Sequence, residues 1–364
     1  MHSLERGKRH EKLGNAIGRI AYAYGFTAAP VTLSRKAVAN QAASDAKTSA
    51  AMALIDAKNA PVDAQSWGAA RSTHGTVIAF SVSNPRHAIA HAIAVKTALA
   101  VAEEAGYAEL AVEINSVGDQ ESRKRFAREL GNFFRKNIEA LAPEVRELAA
   151  RDPEAAYRKL VALNDPVRER APRSIDYLSE NARKNMLSVL SFFESVGIPY
   201  TMNPRLVGDP GVHSEILFAI EGTNRRGERL TVATGGRYES PKRERGKTES
   251  AVGMSVEVPE RIDLEALDEA PACFVVHVGD IAKLRAFSVL EALWRAHIAV
   301  GQALMAETLR DQMLASTGAK TRYVAIIGQR EALDGTVIIR NASTQIQTVL
   351  PLEKLTGYVG RGQR

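Results

Sequence analysis

Thr231-Val-Ala-Thr-Gly-Gly-Arg-Tyr-Glu239, followed at Ala251 by Ala-Val-Gly-Met-Ser-Val256, reads as two apolar strands that each carry glycine where a strand would normally pack a side chain. Glycine in a strand interior gives up packing and costs conformational entropy, so an adjacent pair marks a close backbone approach, a bulge or a tight hairpin. An arginine and a tyrosine directly behind the pair suggest a surface shaped around a ligand. Between the two strands, Pro241-Lys-Arg-Glu-Arg-Gly-Lys247 reads as a basic loop, either a solvated hairpin or a gate for an anion.

Outward from these strands the chain divides into three kinds of text. Before them, Lys12 to Tyr24 has helical spacing and ends at Gly25, Thr76 to Val82 is a β-branched strand, His87 to Gly106 a helix, and Leu110 to Ile114 a further strand. A helical block follows: Gln120 to about Leu141, Glu144 to Leu163 broken by Pro153, and Ile175 to Val196. In its first helix Phe126, Leu130, Phe133 and Phe134 share one face at about 100° per residue. Lys124, Arg125, Arg128, Arg135 and Lys136 gather opposite, either as a solvated charge run or as phosphate contacts. Strand-like text resumes from Tyr200 to Ile220, with a turn at Gly208-Asp-Pro-Gly211.

Beyond an acidic linker containing Asp263, Glu265, Asp268 and Glu269, strands at 274–278, 298–303 and 323–327 alternate with helices at 281–297 and 307–318. Two βαβ steps imply a mainly parallel sheet with right-handed crossovers. A hairpin at 335–340 and 346–350 and a short helix after Pro351 complete it. The expected class is therefore mixed α/β (α+β), with one unit over 1–262, a helical insertion at about 120–185, and a second unit over 272–364.

Composition limits function. The 364 residues are 45% hydrophobic and 25% charged, enough for two full cores, and the net charge of +6 permits an anionic partner. The one cysteine, Cys273, lies in an apolar run and has no partner for an internal disulfide. No apolar stretch is long enough to span a bilayer and the basic start lacks a leader-like core, so a cytoplasmic protein is expected.

Several phrases resemble the histidyl-tRNA synthetases, class II aminoacyl-tRNA synthetases. Tyr323-Val-Ala-Ile-Ile-Gly-Gln-Arg-Glu-Ala-Leu-Asp-Gly-Thr-Val-Ile-Ile-Arg-Asn341 is similar to the end of that family's anticodon-binding domain. Ile114-Asn-Ser-Val-Gly-Asp119 resembles the phrase after the second class II motif, and Gly235-Gly-Arg-Tyr-Glu239 the glycine-rich histidine and adenylate segment. Tyr24-Gly-Phe26 with Pro30 resembles motif 1, which implies a homodimer. The resemblance implies a class II antiparallel sheet core with a helical insertion and a C-terminal α/β anticodon-binding-like domain. It also implies ATP and Mg as cofactors of an active enzyme, tRNA as partner, and histidine as ligand.

The family's motif 2 arginine and its Glu-Phe-x-Gln strand are missing, with Thr76-Val-Ile-Ala-Phe80 in that place and Arg71 the nearest cation. The family phrase Leu-Val-Arg-Gly-Leu-Asp-Tyr-Tyr-Thr aligns with Leu206 to Ser214, which puts Gly208 at the arginine and Val212 and His213 at the tyrosines. Motif 3 puts Glu257 at its glycine and shifts Arg261 by one. Arg71 and Arg261 are thus the catalytic candidates, and Gly235, Gly236, Arg237, Tyr238, His213 and Glu215 the ligand-binding ones. Lys124, Arg128 and Arg135 are the tRNA-contact candidates, and no metal ligands are expected. The expectation is a tRNA-binding relative with weak or lost adenylation. The alternative is a non-catalytic regulator like the regulatory subunit of ATP phosphoribosyltransferase, which generally lacks the C-terminal domain.

Overall fold

Burial and strand register decide how these segments assemble. The computed structural model describes residues 2–29, 31–33, 53–55, 63–72, 75–208, 213–244, 247–262 and 270–361. Pro30, most of 38–62, the turn residues 209–212 and the acidic linker 263–269 lie outside the described residues.

Helix α1 (His2–Ala23) extends well upstream of the expected start, and its Leu13, Ile17, Ile20 and Ala21 are buried. It stops at Gly25, whose φ of +83° lets the Phe26 amide donate back to the Ala21 carbonyl at 2.9 Å. Strands β1 (Thr27–Ala28), β2 (Val31–Leu33), β3 (Ala53–Ile55), β4 (Gln65–Arg71) and β5 (Thr76–Ser83) follow. β2 pairs with β3 in a small sheet of their own that packs on β4 and β5.

Helix α2 (Ile89–Glu104) is buried on nearly every side, because its alanines, valines and isoleucines have the sheet on one side and α1 on another. Strand β6 (Ala108–Gly118) is longer than expected: Asn115 to Gly118 continue the strand rather than leaving it, with Asn115 and Ser116 buried.

The helical block comprises α3 (Gln120–Lys136), α4 (Pro143–Arg151), α5 (Pro153–Ala162) and α6 (Glu180–Ser195), and the Met186, Val189 and Phe193 side chains of α6 belong to the main core. Two expectations are corrected here. α3 ends at Lys136 instead of Leu141, where Asn137 turns the chain into a short 3-10 segment. α6 starts at Glu180 instead of Ile175, because the Ser179 hydroxyl caps it by accepting from the Ala182 amide. Phe126, Leu130 and Phe134 form a separate core with Tyr157 and Leu160, as the aromatic spacing predicts.

Strands β7 (Tyr200–Met202), β8 (His213–Thr223), β9 (Arg229–Glu244) and β10 (Lys247–Val258) complete an eight-stranded sheet of order β1-β4-β5-β10-β9-β8-β6-β7. Its central pairings are antiparallel, and parallel pairs occur only at the edges, β1 with β4 and β6 with β7. The expected basic loop is shorter than its sequence suggests, since β9 continues to Glu244 and β10 resumes at Lys247.

The C-terminal unit follows the alternating pattern closely: β11 (Cys273–His277), α7 (Asp280–Arg295), β12 (Val300–Gln302), α8 (Leu309–Gly318) and β13 (Tyr323–Ile327). Then come α9 (Gln329–Asp334), β14 (Thr336–Asn341), β15 (Gln347–Pro351) and α10 (Leu355–Arg361). β12, β11 and β13 are parallel, while β14 and β15 add antiparallel strands at one edge. α9, a single capped turn and a half, was not foreseen in the periodicity. One hydrophobic core runs from α1 and α2 through the large sheet into β11, β13 and α7. Cys273 is fully buried within it, and burial pushes its thiol up to about 12.

Candidate functional site

Register places the glycine pair in mid-strand. Gly235 and Gly236 of β9 face Met254 and Gly253 of β10. An added Cβ at Gly235 would lie 2.1 Å from the Gly253 carbonyl oxygen, and one at Gly253 would lie 2.4 Å from the Phe80 carbonyl oxygen. The bulge belongs to the neighbouring strand: register shifts between Ser214 and Leu217 of β8, where Glu215 takes a φ of +53°. The need for glycine is therefore met inside the chain, by backbone on both flanking strands. Gly253→Ala is expected to cost about 1–3 kcal/mol, since backbone cannot yield as a flexible side chain can; urea denaturation at neutral pH measures it.

Which face each candidate occupies follows from the same register. Val252, Met254, Val256 and Val258 of β10 belong to the core against α2. Arg237 pairs with Val252 across β9–β10 and with Ser214 across β8–β9, and cross-strand partners share a face. Arg237 thus stands on the helix-packed side. Its Nε lies 3.6 Å from Glu215 Oε1, and its Nη2 donates to Ser250 Oγ at 3.2 Å. Glu215 is held in turn by Asn185 of α6, whose Nδ2 donates at 2.5 Å.

His91, at the start of α2, completes this group. Burial, and secondly the Arg237 charge, hold its imidazole down at about 3, so it is neutral. Its Nδ1–H donates to the Ala88 carbonyl at 3.2 Å. His213 and Tyr238 are neighbours across β8–β9, with ring centroids 5.1 Å apart, and the Tyr238 hydroxyl donates to the Gly253 carbonyl at 3.3 Å. Burial pushes the Tyr238 phenol far up. The structure makes Gly235, Gly236, Arg237, Tyr238, His213 and Glu215 neighbours on β8 and β9 but divides them between the two faces of the sheet, Arg237 on the helix-packed side and Gly236, Tyr238 and His213 on the other. His91, Ser214 and Asn185 join them without having been anticipated, and a histidine inside an aliphatic helix gave no pattern that would reveal its neighbours.

Arg71 and Arg261 lie elsewhere. Arg71 pairs with Thr76, which pairs with Val258 at the far end of β10. Thr76 also pins the segment carrying Arg261: its Oγ1 donates to the Glu260 carbonyl at 2.9 Å and accepts from the Ile262 amide at 3.1 Å. From Val252 to Val258 is six residues, about 20 Å along a strand. Arg237 is therefore separated from Arg71 and Arg261 by roughly the length of the sheet.

On the face away from α2, the rows opposite one another carry Ser81 and Ala79 of β5, Gly253 and Ser255 of β10, and Gly236 and Thr234 of β9. These are small and uncharged, and no guanidinium or ammonium stands in those rows. A triphosphate with its metal needs converging cations, so these residues do not fit ATP·Mg as a phosphate clamp. Among the described residues no group of three or more His, Cys, Asp or Glu could hold a metal ion, and no helix is long and apolar enough to cross a membrane.

Lys124, Arg128 and Arg135 are exposed on the outer face of α3, with Arg128 3.4 Å from Glu129 and Arg135 hydrogen-bonded to Asn132 Oδ1 at 2.5 Å. Tyr24 and Phe26 are turned into this chain's own core, with Phe26 edge-on to Phe80 at 5.2 Å.

Comparison with known proteins gives these features a lineage. Residues 272–361 match the family model described as Anticodon binding domain. A histidine–tRNA ligase of Geobacillus kaustophilus is 29% identical over 279 residues, covering 72% of this chain and 64% of that protein. The histidine–tRNA ligase of Geobacillus sp. is 27% identical over 266 residues, covering 70% and 62%. The chain is a distant homologue of the histidyl-tRNA synthetases.

The solved structure of apo Staphylococcus aureus histidyl-tRNA synthetase superposes with a TM-score of 0.51 at 18% identity, covering 98% of this chain and 96% of that one. The fold is thus the mixed α/β of that family: a class II synthetase-like sheet plus a C-terminal α/β anticodon-binding domain. The chain spans only 62% and 64% of the length of the two Geobacillus relatives. Where the histidyl-tRNA synthetase pattern carries an arginine, this chain has Gly208, and even a Cβ there would lie 2.6 Å from His213 Cβ. His213 and Leu217 fill that space.

Proposed function

We propose that this chain is a histidyl-tRNA synthetase-like protein that binds tRNA and has weak or no capacity to form an aminoacyl adenylate. The observation that carries the reading is the dispersal of its candidate cations: Arg237 is paired with Glu215 on the helix-packed face, and Arg71 and Arg261 stand at the opposite end of the sheet. In-line attack on the α-phosphate builds negative charge that must meet preorganised donors at one point. A floor of serine, alanine, glycine and threonine supplies no charge to meet it.

The tRNA-binding part is supported by the match of residues 272–361 to an anticodon-binding family, by the net charge of +6 and by the exposed basic face of α3. The same C-terminal match weighs against a purely regulatory paralogue. Two measurements test the reading. Histidine-dependent ATP–pyrophosphate exchange should stay near background, and an ordinary synthetase rate refutes the loss of chemistry. Gel shifts with tRNA across a salt series should give a steep dependence, a log–log slope of about −3 or steeper for four or more phosphate contacts. Lys124→Ala with Arg128→Ala should shallow that slope by about one unit or more. A slope near zero removes the tRNA proposal.

A further inference from the structure

The chain around Tyr24 joins the two sheets through buried charge. Tyr24 is 1% exposed, and its phenol donates to Glu291 Oε1 on α7. The other oxygen of Glu291 lies 2.8 Å from Lys96 Nζ on α2, and the two residues are only 7% and 8% exposed. The Tyr24 carbonyl accepts from two amides, Gln65 Nε2 of β4 at 2.7 Å and Gln302 Nε2 of β12 at 2.6 Å. Gly25 must be glycine for this, since a Cβ would lie 2.2 Å from Gln302 Nε2. Above the group opens a cleft of about 1040 Å³ between α1, α2 and α7. Burial, reinforced by the Glu291 charge, pushes the Tyr24 phenol well up, so it stays a donor.

We infer that the Tyr24–Glu291–Lys96 triad is an inter-domain lock that fixes one orientation of the C-terminal α/β unit on the large-sheet core. The argument is one of geometry. A hydrophobic contact between α1 and the β12 region tolerates sliding and rotation, because burial is non-directional. A carboxylate that must meet an ammonium with one oxygen and a phenol with the other has a single satisfactory position. Rotating α7 away separates Lys96 and Tyr24 from Glu291 and leaves each charge without its partner. The surface ion pairs between the units cannot supply this constraint. Glu307 meets His87 at 3.0 Å and Arg86 at 3.6 Å, but Arg86 and Glu307 are more than half exposed, where such pairs are weak. The lock stands apart from the adenylation question and holds whether or not the chain turns over ATP.

The test measures distance between the two units. Spin labels placed by Arg226→Cys on the β8–β9 turn and Leu314→Cys on α8 report it, and the native Cys273 is buried. The otherwise wild-type chain should give one narrow distance distribution. Glu291→Leu, which leaves Lys96 unpaired, should broaden it or add a second population; Lys96→Met with Glu291→Leu, which leaves only non-directional apolar contact, should keep it broad. Tyr24→Phe removes one bond to a charged acceptor and should speed amide exchange at Gly25 and Phe26 about tenfold or more, providing a readout if Glu291→Leu folds poorly. Phe134→Leu in the insertion should lower the melting temperature without widening the distribution. A narrow distribution in Glu291→Leu, unchanged exchange in Tyr24→Phe, or equal broadening in Phe134→Leu overturns the lock.

Discussion

Histidine-dependent exchange of pyrophosphate into ATP is expected to run at least about a thousandfold slower with this chain than with an active histidyl-tRNA synthetase, because loss of even one preorganised donor costs 10²–10³ in rate. On the proposed reading more than one is missing here. β5, which the resemblance sets in the place of motif 2, is Thr76 to Ser83, buried along its whole length and without a charge. The same resemblance sets Gly208 at a further arginine position, where the neighbouring His213 and Leu217 leave no room. Arg237 points to the helix-packed face and is neutralised by Glu215.

The expectation extends to variants. Arg71→Ala and Arg261→Ala should leave any residual exchange within about twofold, since groups at the end of β10, about 13–17 Å along the strand from the residues facing the glycine pair, do not touch a phosphate bound over it. Steady-state exchange with labelled pyrophosphate, at saturating histidine and Mg, measures all of these. A tenfold loss in either variant would place that arginine at the reacting phosphate and remove the proposed explanation.

What the sequence disclosed, and what it hid, divides along physical lines. The C-terminal unit was legible nearly strand for strand, because βαβ text switches period from 2 to 3.6 at each boundary and Tyr323 to Ile327 is a pure β-branched and apolar run. The aromatic face of α3 was legible for the same reason: Phe126, Leu130 and Phe134 repeat at helical spacing and are buried together. α9 was missed because Gln329 to Asp334 is too short for a period to show, although the carboxylate of Glu331 caps the Gly328 amide at 3.0 Å. The glycine pair was recognised as a place of close approach, but what approaches is backbone of β8 and β10, and only strand pairing could reveal that.

The meeting of Arg237 with Ser214 and Glu215 depended on a bulge. Ser214 pairs with Arg237 and Leu217 with Gly236, so Glu215 and Ile216 of β8 have no partner in the β9 register. Nothing local in His213-Ser-Glu-Ile-Leu217 announces the positive φ at Glu215. The surroundings of His91 were hidden more completely. Its helix reads as uniformly aliphatic, and its ring meets Phe218 edge-on at 6.0 Å from a strand far away in sequence.

That buried histidine governs how the protein should respond to acid. His91 is held down at about 3, by burial first and the Arg237 charge second; His277 of β11 is held at about 4, by burial first and the Lys283 charge second. Both titrate near the ordinary value of 6.5 once unfolded. A folded-state value below the unfolded one means that, between the two, the unfolded chain binds more protons. Stability therefore rises with pH across that window and is lost as pH falls from 6.5 toward 4. Each histidine should cost about 2 kcal/mol between pH 7 and pH 5, together about 4 kcal/mol, a large part of an ordinary domain's stability.

Asp119 binds the Ser122 amide and the Ser179 hydroxyl and is held below its ordinary 3.8, so its contribution is lost only at lower pH. Urea denaturation at pH 7 and pH 5 checks the prediction, with His91→Gln and His277→Gln each expected to remove about half of the difference. A pH dependence unaltered in both variants would mean that neither imidazole is kept neutral by the fold.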